Sequence, residues 1–142
     1  MKNVTKASIN DLDEILHIDI DVIGNDSRQD YIKHTIAEGR CIIVKEENSI
    51  SGFLTYDANF FGCTFLSLII VAPTKRRRGH ASSLISYMLS HSPTQKIFSS
   101  TNESNESMQR VFNANGFIRS GIIENLDEGD PEIIFYTKKL RA

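Results

Sequence analysis

A mixed α/β fold is the expectation for this 142-residue chain, and three features of its sequence carry it. Apolar residues at strand spacing and at helix spacing alternate in the order β-α-α-β-β-β-α-β-α-β-β. Residues Cys41 to Val71 hold three consecutive strand-like runs, the pattern of a meander. The last run ends in Phe65-Leu66-Ser67-Leu68-Ile69-Ile70-Val71, which is almost continuously apolar, as in a strand buried on both faces, and passes through a basic, glycine-containing turn into a helix. These features predict a central mixed, twisted sheet with helices on both faces. They also predict one domain over residues 1–142, long enough to bury about 70% of the surface that the unfolded chain exposes.

Asn3 to Ala7 reads as the first strand. Asn10 is placed to cap the next helix, whose first turn sets Asp11, Asp13 and Glu14 against the positive end of the helix dipole; Leu12, Ile15, Leu16, Ile20 and Ile23 form its apolar face. A second helix starts near Ser27, whose spacing to Asp30 approximates a capping box, and Gly39 is suited to end it. Cys41 to Lys45 and Ile50 to Tyr56 flank Glu46-Glu47-Asn48-Ser49, a hairpin signature, and Phe60 to Val71 forms the third strand. Pro73, with no N–H to offer, stops that ladder. Ala81 to Ser90 is a helix with the buried stripe Leu84, Ile85, Met88 and Leu89, followed by a strand at Lys96 to Ser100. A helix from Ser104 to Ala114 closes on Asn115-Gly116. Strands Phe117 to Glu124 and Ile133 to Thr137, joined by an acidic turn-rich loop, complete the sheet.

Composition narrows the function classes. A hydrophobic content of 40%, a charged content of 24% and a net charge of −2 belong to an ordinary globular domain and argue against a dedicated nucleic-acid or membrane-surface binder. The basic cluster Lys75 to Arg78 is local. No apolar run reaches the roughly 18 to 20 residues that cross a bilayer, and Met1 to Asn10 lacks the apolar core of a signal peptide, so a cytoplasmic protein is expected. Cys41 and Cys63 lie in apolar strands and read as buried thiols rather than a disulfide or metal ligands. His17, His34 and His91 show no ligand spacing, and no metal is expected.

The strand-turn-helix from Ile69 to Ala81 is the feature that carries chemistry. A helix start presents unpaired N–H groups and the positive end of the dipole, so a turn that folds its amides around an anion needs little side-chain help. Gly79 supplies a permissive backbone and Ala81 a small side chain, which together let a phosphate approach.

Ile69-x-Val71-x-Pro73-x-x-Arg76-x-x-Gly79-x-Ala81 resembles the acetyl-CoA signature of the GNAT superfamily of N-acetyltransferases, whose core is Gln/Arg-x-x-Gly-x-Gly/Ala after a strand. Asn105, eleven residues before Gly116-Phe117, resembles the family's second motif. The resemblance implies acetyl-CoA as donor. Its pantetheine arm would pair with the backbone of Ile69, Val71 and Pro73, the last through its carbonyl alone. The amides of Arg76, Arg77, Arg78, Gly79, His80, Ala81 and Ser82 would hold the pyrophosphate, Lys75 or Arg77 would reach the peripheral phosphate, and Asn105 would steady the pantetheine end. The side chain of His80 is expected to project outward.

The implied reaction is acetyl transfer to a primary amine of a small molecule or peptide, by direct attack in a ternary complex. Such an amine, with a pKa near 10.4, must lose a proton on the way. Many relatives place a carboxylate on the strand before the signature, but Phe65 to Val71 contains none. Glu124, Glu103 or ordered water is left as the base. The N–H of Val71 is the candidate oxyanion donor. Phe112 stands four residues before Gly116, where relatives often carry a tyrosine acid, which leaves Tyr136 as a replacement. The five carboxylates from Glu124 to Glu132 would draw a cationic acceptor, although a solvated hairpin loop explains them equally well. A homodimer is compatible with the resemblance, since relatives often dimerise. The competing readings are a non-catalytic acyl-CoA-binding or regulatory module, favoured by Phe112 and the missing carboxylate, and a nucleic-acid binder, opposed by the net charge.

Overall fold

A computed structural model describes residues 2–140. Its elements are β1 (Lys2–Lys6), α1 (Leu12–Ile23), α2 (Gln29–Ala37), β2 (Cys41–Glu46), β3 (Ser49–Phe60), β4 (Cys63–Val71), α3 (His80–His91), β5 (Lys96–Asn102), α4 (Glu106–Ala114), β6 (Ile118–Ile123) and β7 (Glu132–Lys138), in the order the sequence predicts. The strands form one mixed seven-stranded sheet, β1-β2-β3-β4-β5-β7-β6. β4 and β5 are parallel, while β1–β2, β2–β3, β5–β7 and β6–β7 are antiparallel. The chain divides into two compact units, Met1–Tyr56 with Leu68–Tyr87, and Asp57–Ser67 with Met88–Ala142.

In the first unit, α1 and α2 contribute Ile15, Ile18, Ile32 and Ile36 to a core with Cys41, Ile43, Ile50 and Phe53, against which Leu68 and Ile70 of β4 pack. The 3.6-residue period of α1 explains most of this face. Ile20, expected on it, is 40% exposed, whereas Asp19 is buried and bound by the Arg28 guanidinium. The helix begins earlier than its apolar pattern suggests: a 3₁₀ turn, Ile9–Asp11, precedes it, capped by Ser8 rather than Asn10. The Ser8 N–H donates to the Asp11 carboxylate at 2.8 Å. The capping box expected at Ser27 is likewise not formed. The N-cap of α2 is Arg28, without a side-chain bond, because the N–H of Ser27 is taken by Asn25 Oδ1 in an Asx turn.

Tight turns set the strand boundaries. Glu47 and Asn48, with φ of 53° and 68°, make the expected β2–β3 hairpin. The strand expected from Phe60 to Val71 is in fact two: Phe61 and Gly62, both left-handed, turn the chain between β3 and β4, and Phe60 closes β3. Phenylalanine is a rare residue at such a turn, which is why the apolar pattern conceals it. Nor is the run Phe65 to Val71 buried throughout. Leu66 is buried and its neighbours are half-buried, and the parallel ladder to β5 joins Thr64 to Ile97, Phe65 to Phe98 and Leu66 to Ser99. Cys41 is buried, which pushes its thiol pKa up to about 12, but Cys63 at the turn end of β4 is only half-buried.

In the second unit Phe112 of α4 is buried against Phe117 and Phe135, with ring centroids 5.2 Å and 4.9 Å away. Another aromatic row joins Phe65, Phe60, Phe98 and Tyr136 at centroid distances of 4.8 Å, 5.1 Å and 5.2 Å.

Candidate functional site

The turn between β4 and α3 is built by the first unit alone. The Ala72 N–H donates to Ser51 O at 2.8 Å, and Ile70 O lies 2.7 Å from where a Cβ on Gly52 would stand. Both residues thus direct backbone polar groups toward β3. Strand alternation directs those of Ile69 and Val71 to the opposite edge, where they can meet a ligand. Pro73–Lys75 then forms a 3₁₀ turn, and Arg76 is extended.

Arg77 and Gly79 both adopt left-handed backbone, with φ of 64° and 78°, so the chain reverses its curvature twice within three residues before α3 starts. Alternating backbone of this kind is able to turn successive amides inward as an anion-binding nest, and the N–H groups of His80 and Ala81 come too early in α3 to have intrahelical acceptors. The residues from Arg76 to Gly79 are exposed, whereas Ala81 and Ser82 are half-buried. Ser83 closes the first turn through its N–H and its hydroxyl, each 3.0 Å from Gly79 O.

His80 departs from expectation. Its ring is buried, not projecting outward, and neither ring nitrogen has a hydrogen-bond partner. Its Nε2 stands 3.8 Å from a Glu46 carboxylate oxygen, which also faces Arg78 Nη1 at 3.5 Å. Burial lowers the imidazole pKa below its usual value, and the Lys2 ammonium lowers it further. His80 is therefore a packed ring at the start of α3, where burial and the Lys2 ammonium disfavour its protonated form. Lys2 and Glu46 were not legible as parts of the site: Lys2 Nζ donates to Arg78 O, and the β1–β2 register sets Lys2 opposite Glu46. Their separation in sequence from the turn leaves no local signal for this contact.

The remaining residues belong to the second unit. Asn105 is exposed and caps α4, its Oδ1 accepting from the Met108 N–H at 3.1 Å. Glu124 is exposed, one residue beyond β6. Tyr136 sits mid-strand in β7, half-buried and paired in register with Phe98 and Ile118. Ile123, next to Glu124, pairs with Glu132, four residues along β7 from Tyr136, so about 13 Å of strand separates Ile123 from Tyr136, at about 3.3 Å per residue, and Glu124 lies beyond Ile123. The acidic loop is partly committed to structure. Asp127 and Asp130 accept from Asn102 and Ser104 respectively, and Glu132 accepts from Ser100 Oγ at 2.6 Å. Among the described residues, no three His, Cys, Asp or Glu side chains are grouped to hold a metal ion, and no helix is long and apolar enough to cross a membrane.

Comparison with known proteins places this geometry among acetyltransferases. The profile of the acetyltransferase (GNAT) family matches residues 9–117. A crystal structure of a GNAT-family acetyltransferase from Bacillus cereus ATCC 10987 is 89% identical, with a TM-score of 0.98 and coverage of 99% of each chain. The same fold, at 16% identity and a TM-score of 0.82, is found in the ribosomal-protein-S18-alanine N-acetyltransferase of Escherichia coli, covering 100% of this chain and 96% of that one. It recurs in yncA of Salmonella typhimurium, solved with its cofactor acetyl-CoA, at 11% identity and a TM-score of 0.81, again covering 100% and 96%. No curated protein sequence matches.

Proposed function

Because the chain belongs to the GNAT family of acetyltransferases, we propose that it transfers the acetyl group of acetyl-CoA to a primary amine of a small molecule or peptide, by direct attack in a ternary complex. The observation that carries this reading is the turn Arg76 to Ala81, with two left-handed residues opening α3. The 142 residues act as one cytoplasmic N-acetyltransferase domain.

The amides of Arg76 through Ser82 bind the pyrophosphate, and Lys75 or Arg77 meets the peripheral phosphate. The backbone of Ile69 and Val71 and the carbonyl of Pro73 pair with the pantetheine arm; the edge to which Ile69 and Val71 turn supports this. Asn105 is committed through Oδ1 to its helix cap, and its Nδ2 donates to the pantetheine end.

Val71 N–H donates to the carbonyl oxygen as it gains charge, a role independent of side-chain identity. Glu124, exposed and set apart from Tyr136 along the β6–β7 pair, takes the amine proton through intervening water rather than by direct contact. Tyr136 returns one to the departing thiolate. With a thiol pKa near 8.5, that leaving group needs less help than an alkoxide, so an imperfect acid is tolerable. Acetyl-CoA supplies the activated thioester.

The buried, stacked ring of Phe112 favours one competing reading, a non-catalytic acyl-CoA-binding module. A pair of measurements separates them. Thermal unfolding is followed with acetyl-CoA and with CoA, and CoA release is then screened over polyamines, amino acids, aminoglycosides and peptides. Stabilisation by acetyl-CoA together with release on one amine class is expected. Stabilisation without release across the panel would establish the module, and no stabilisation at millimolar acetyl-CoA would refute both.

A further inference from the structure

The second unit carries a concavity of about 450 Å³, lined by Phe60, Phe61, Phe98, Ile122, Ile134 and Lys96. Its aromatic part is mutually supported: the Phe60 centroid lies 5.1 Å from Phe61, edge-on, and 5.1 Å from Phe98. Phe61 is 92% exposed and Ile122 is 41% exposed. Two large apolar side chains thus stand in water beside one cavity, and Phe61 does so at a left-handed turn position that favours Asn, Asp or Gly. Turn geometry alone does not account for a phenylalanine there.

The charge beside this cavity is equally unbalanced. The β5–β7 register sets Lys96 directly opposite Lys138, and strand alternation puts both on the face that carries Phe98, Ile134 and Tyr136. Like charges directly opposed destabilise a strand pair. Neither lysine forms an ion pair among the described residues. The carboxylates of the loop after β6 lie toward the other end of β7, where Glu132 pairs with Asn102 and Ile123.

We propose that this concavity binds a small aromatic carboxylate. Its ring packs on Phe60, Phe61 and Phe98 against Ile122 and Ile134, and its carboxylate meets the ammonium groups of Lys96 and Lys138. The anion relieves the lysine pair, and the ring covers the exposed Phe61. A cationic aryl amine would add a third positive charge. A second copy of the chain docked about a two-fold axis on this face would oppose four lysines. The inference goes beyond acetyl transfer and requires no acetyl-CoA.

The test is titration of the full chain with para-fluorophenylacetate, para-fluorotoluene and para-fluorophenethylamine, read by fluorine NMR and by backbone amide shifts. Saturable binding of the carboxylate is expected, with shifts at Phe61, Lys96, Gly121 and Ile122 and weaker binding of the neutral and cationic analogues. Affinity should fall about tenfold or more in Lys96→Glu and in Phe61→Asp. Both positions are exposed, so the folded state should tolerate either change, and retained stabilisation by acetyl-CoA would confirm an intact phosphate turn. Equal or tighter binding of the amine, unchanged affinity in both variants, or no saturable binding would overturn the proposal. So would a dimer in sedimentation that excludes the probe and dissociates in Phe61→Asp, because the face would then belong to a second copy.

Discussion

Gly79 has a φ of 78°, a conformation that selects glycine, while a Cβ there would meet only the movable Lys2 Nζ, at 3.1 Å. Gly79→Val is expected to cost most of the acetyl-CoA affinity, about tenfold or more by calorimetry, with the far-ultraviolet circular dichroism spectrum unchanged. An unaltered dissociation constant would rule out the amide cradle. His80 makes a pH prediction. Its folded pKa lies below the ordinary 6.5, so the unfolded chain binds more protons, and the contribution to stability is present above about pH 6.5 and is lost as the pH falls through the lowered folded value. Urea midpoints measured between pH 7.5 and 5 should therefore drop more steeply in the parent than in His80→Leu; equal slopes would show that the ring is not buried neutral. At Phe112, restoring a tyrosine places a hydroxyl at the rim of a fully buried ring. Phe112→Tyr should lower stability by about 1–3 kcal/mol if that hydroxyl lacks a partner, and should raise turnover per folded molecule if thiolate protonation limits the rate. Single-turnover kinetics well below both melting temperatures would show whether turnover rises.

Among the elements, β3 and β4 show how a strand pair is fixed by one small residue. A side chain on Gly52 would collide with Ile70 O at 2.7 Å and with Val71 Cα at 3.3 Å. Gly52→Ala should thus destabilise by about 1–3 kcal/mol through forced separation of the strands. Gly121→Ala, where nothing lies within 4 Å, should stay within about 0.5 kcal/mol, so denaturant curves of the two variants isolate the close approach. The displacement would fall on Ile70 and Val71, the latter proposed to face the donor. Element existence was legible throughout, because periods of 3.6 and 2 are local properties of the chain. Element limits were less so. Phe61-Gly62 looked like strand interior because its residues are apolar or neutral, and the turn is written in φ, not in hydrophobicity. The start of α1 is hidden for the converse reason: the Ser8 N–H and hydroxyl both donate to the Asp11 carboxylate ahead of it, whereas Asn10 has only the right residue type.

For the whole molecule, the boundaries between the two units fall inside β3, β4 and α3. Cutting the chain at any of them would break a continuous element. One cooperative transition is therefore expected for all 142 residues, with tyrosine fluorescence and circular dichroism giving coincident midpoints; separated midpoints would split the proposed single domain. Acetyl-CoA at about one hundred times its dissociation constant should raise the unfolding free energy by about 2.7 kcal/mol.

The sequence by itself determined the order of elements, the glycine-containing turn into α3 and the family, because periodicity, a strand-terminating proline and a glycine at a fixed spacing act within a few residues of one another. Only the tertiary structure decided that His80 is buried, that Lys2 and Glu46 buttress the turn, that Asp127, Asp130 and Glu132 are held by their neighbours, and that Lys96 opposes Lys138 beside an apolar hollow. Those facts depend on strand register and on contacts between distant parts of the chain, and a one-residue slip of register would erase each pairing without changing a letter of the sequence.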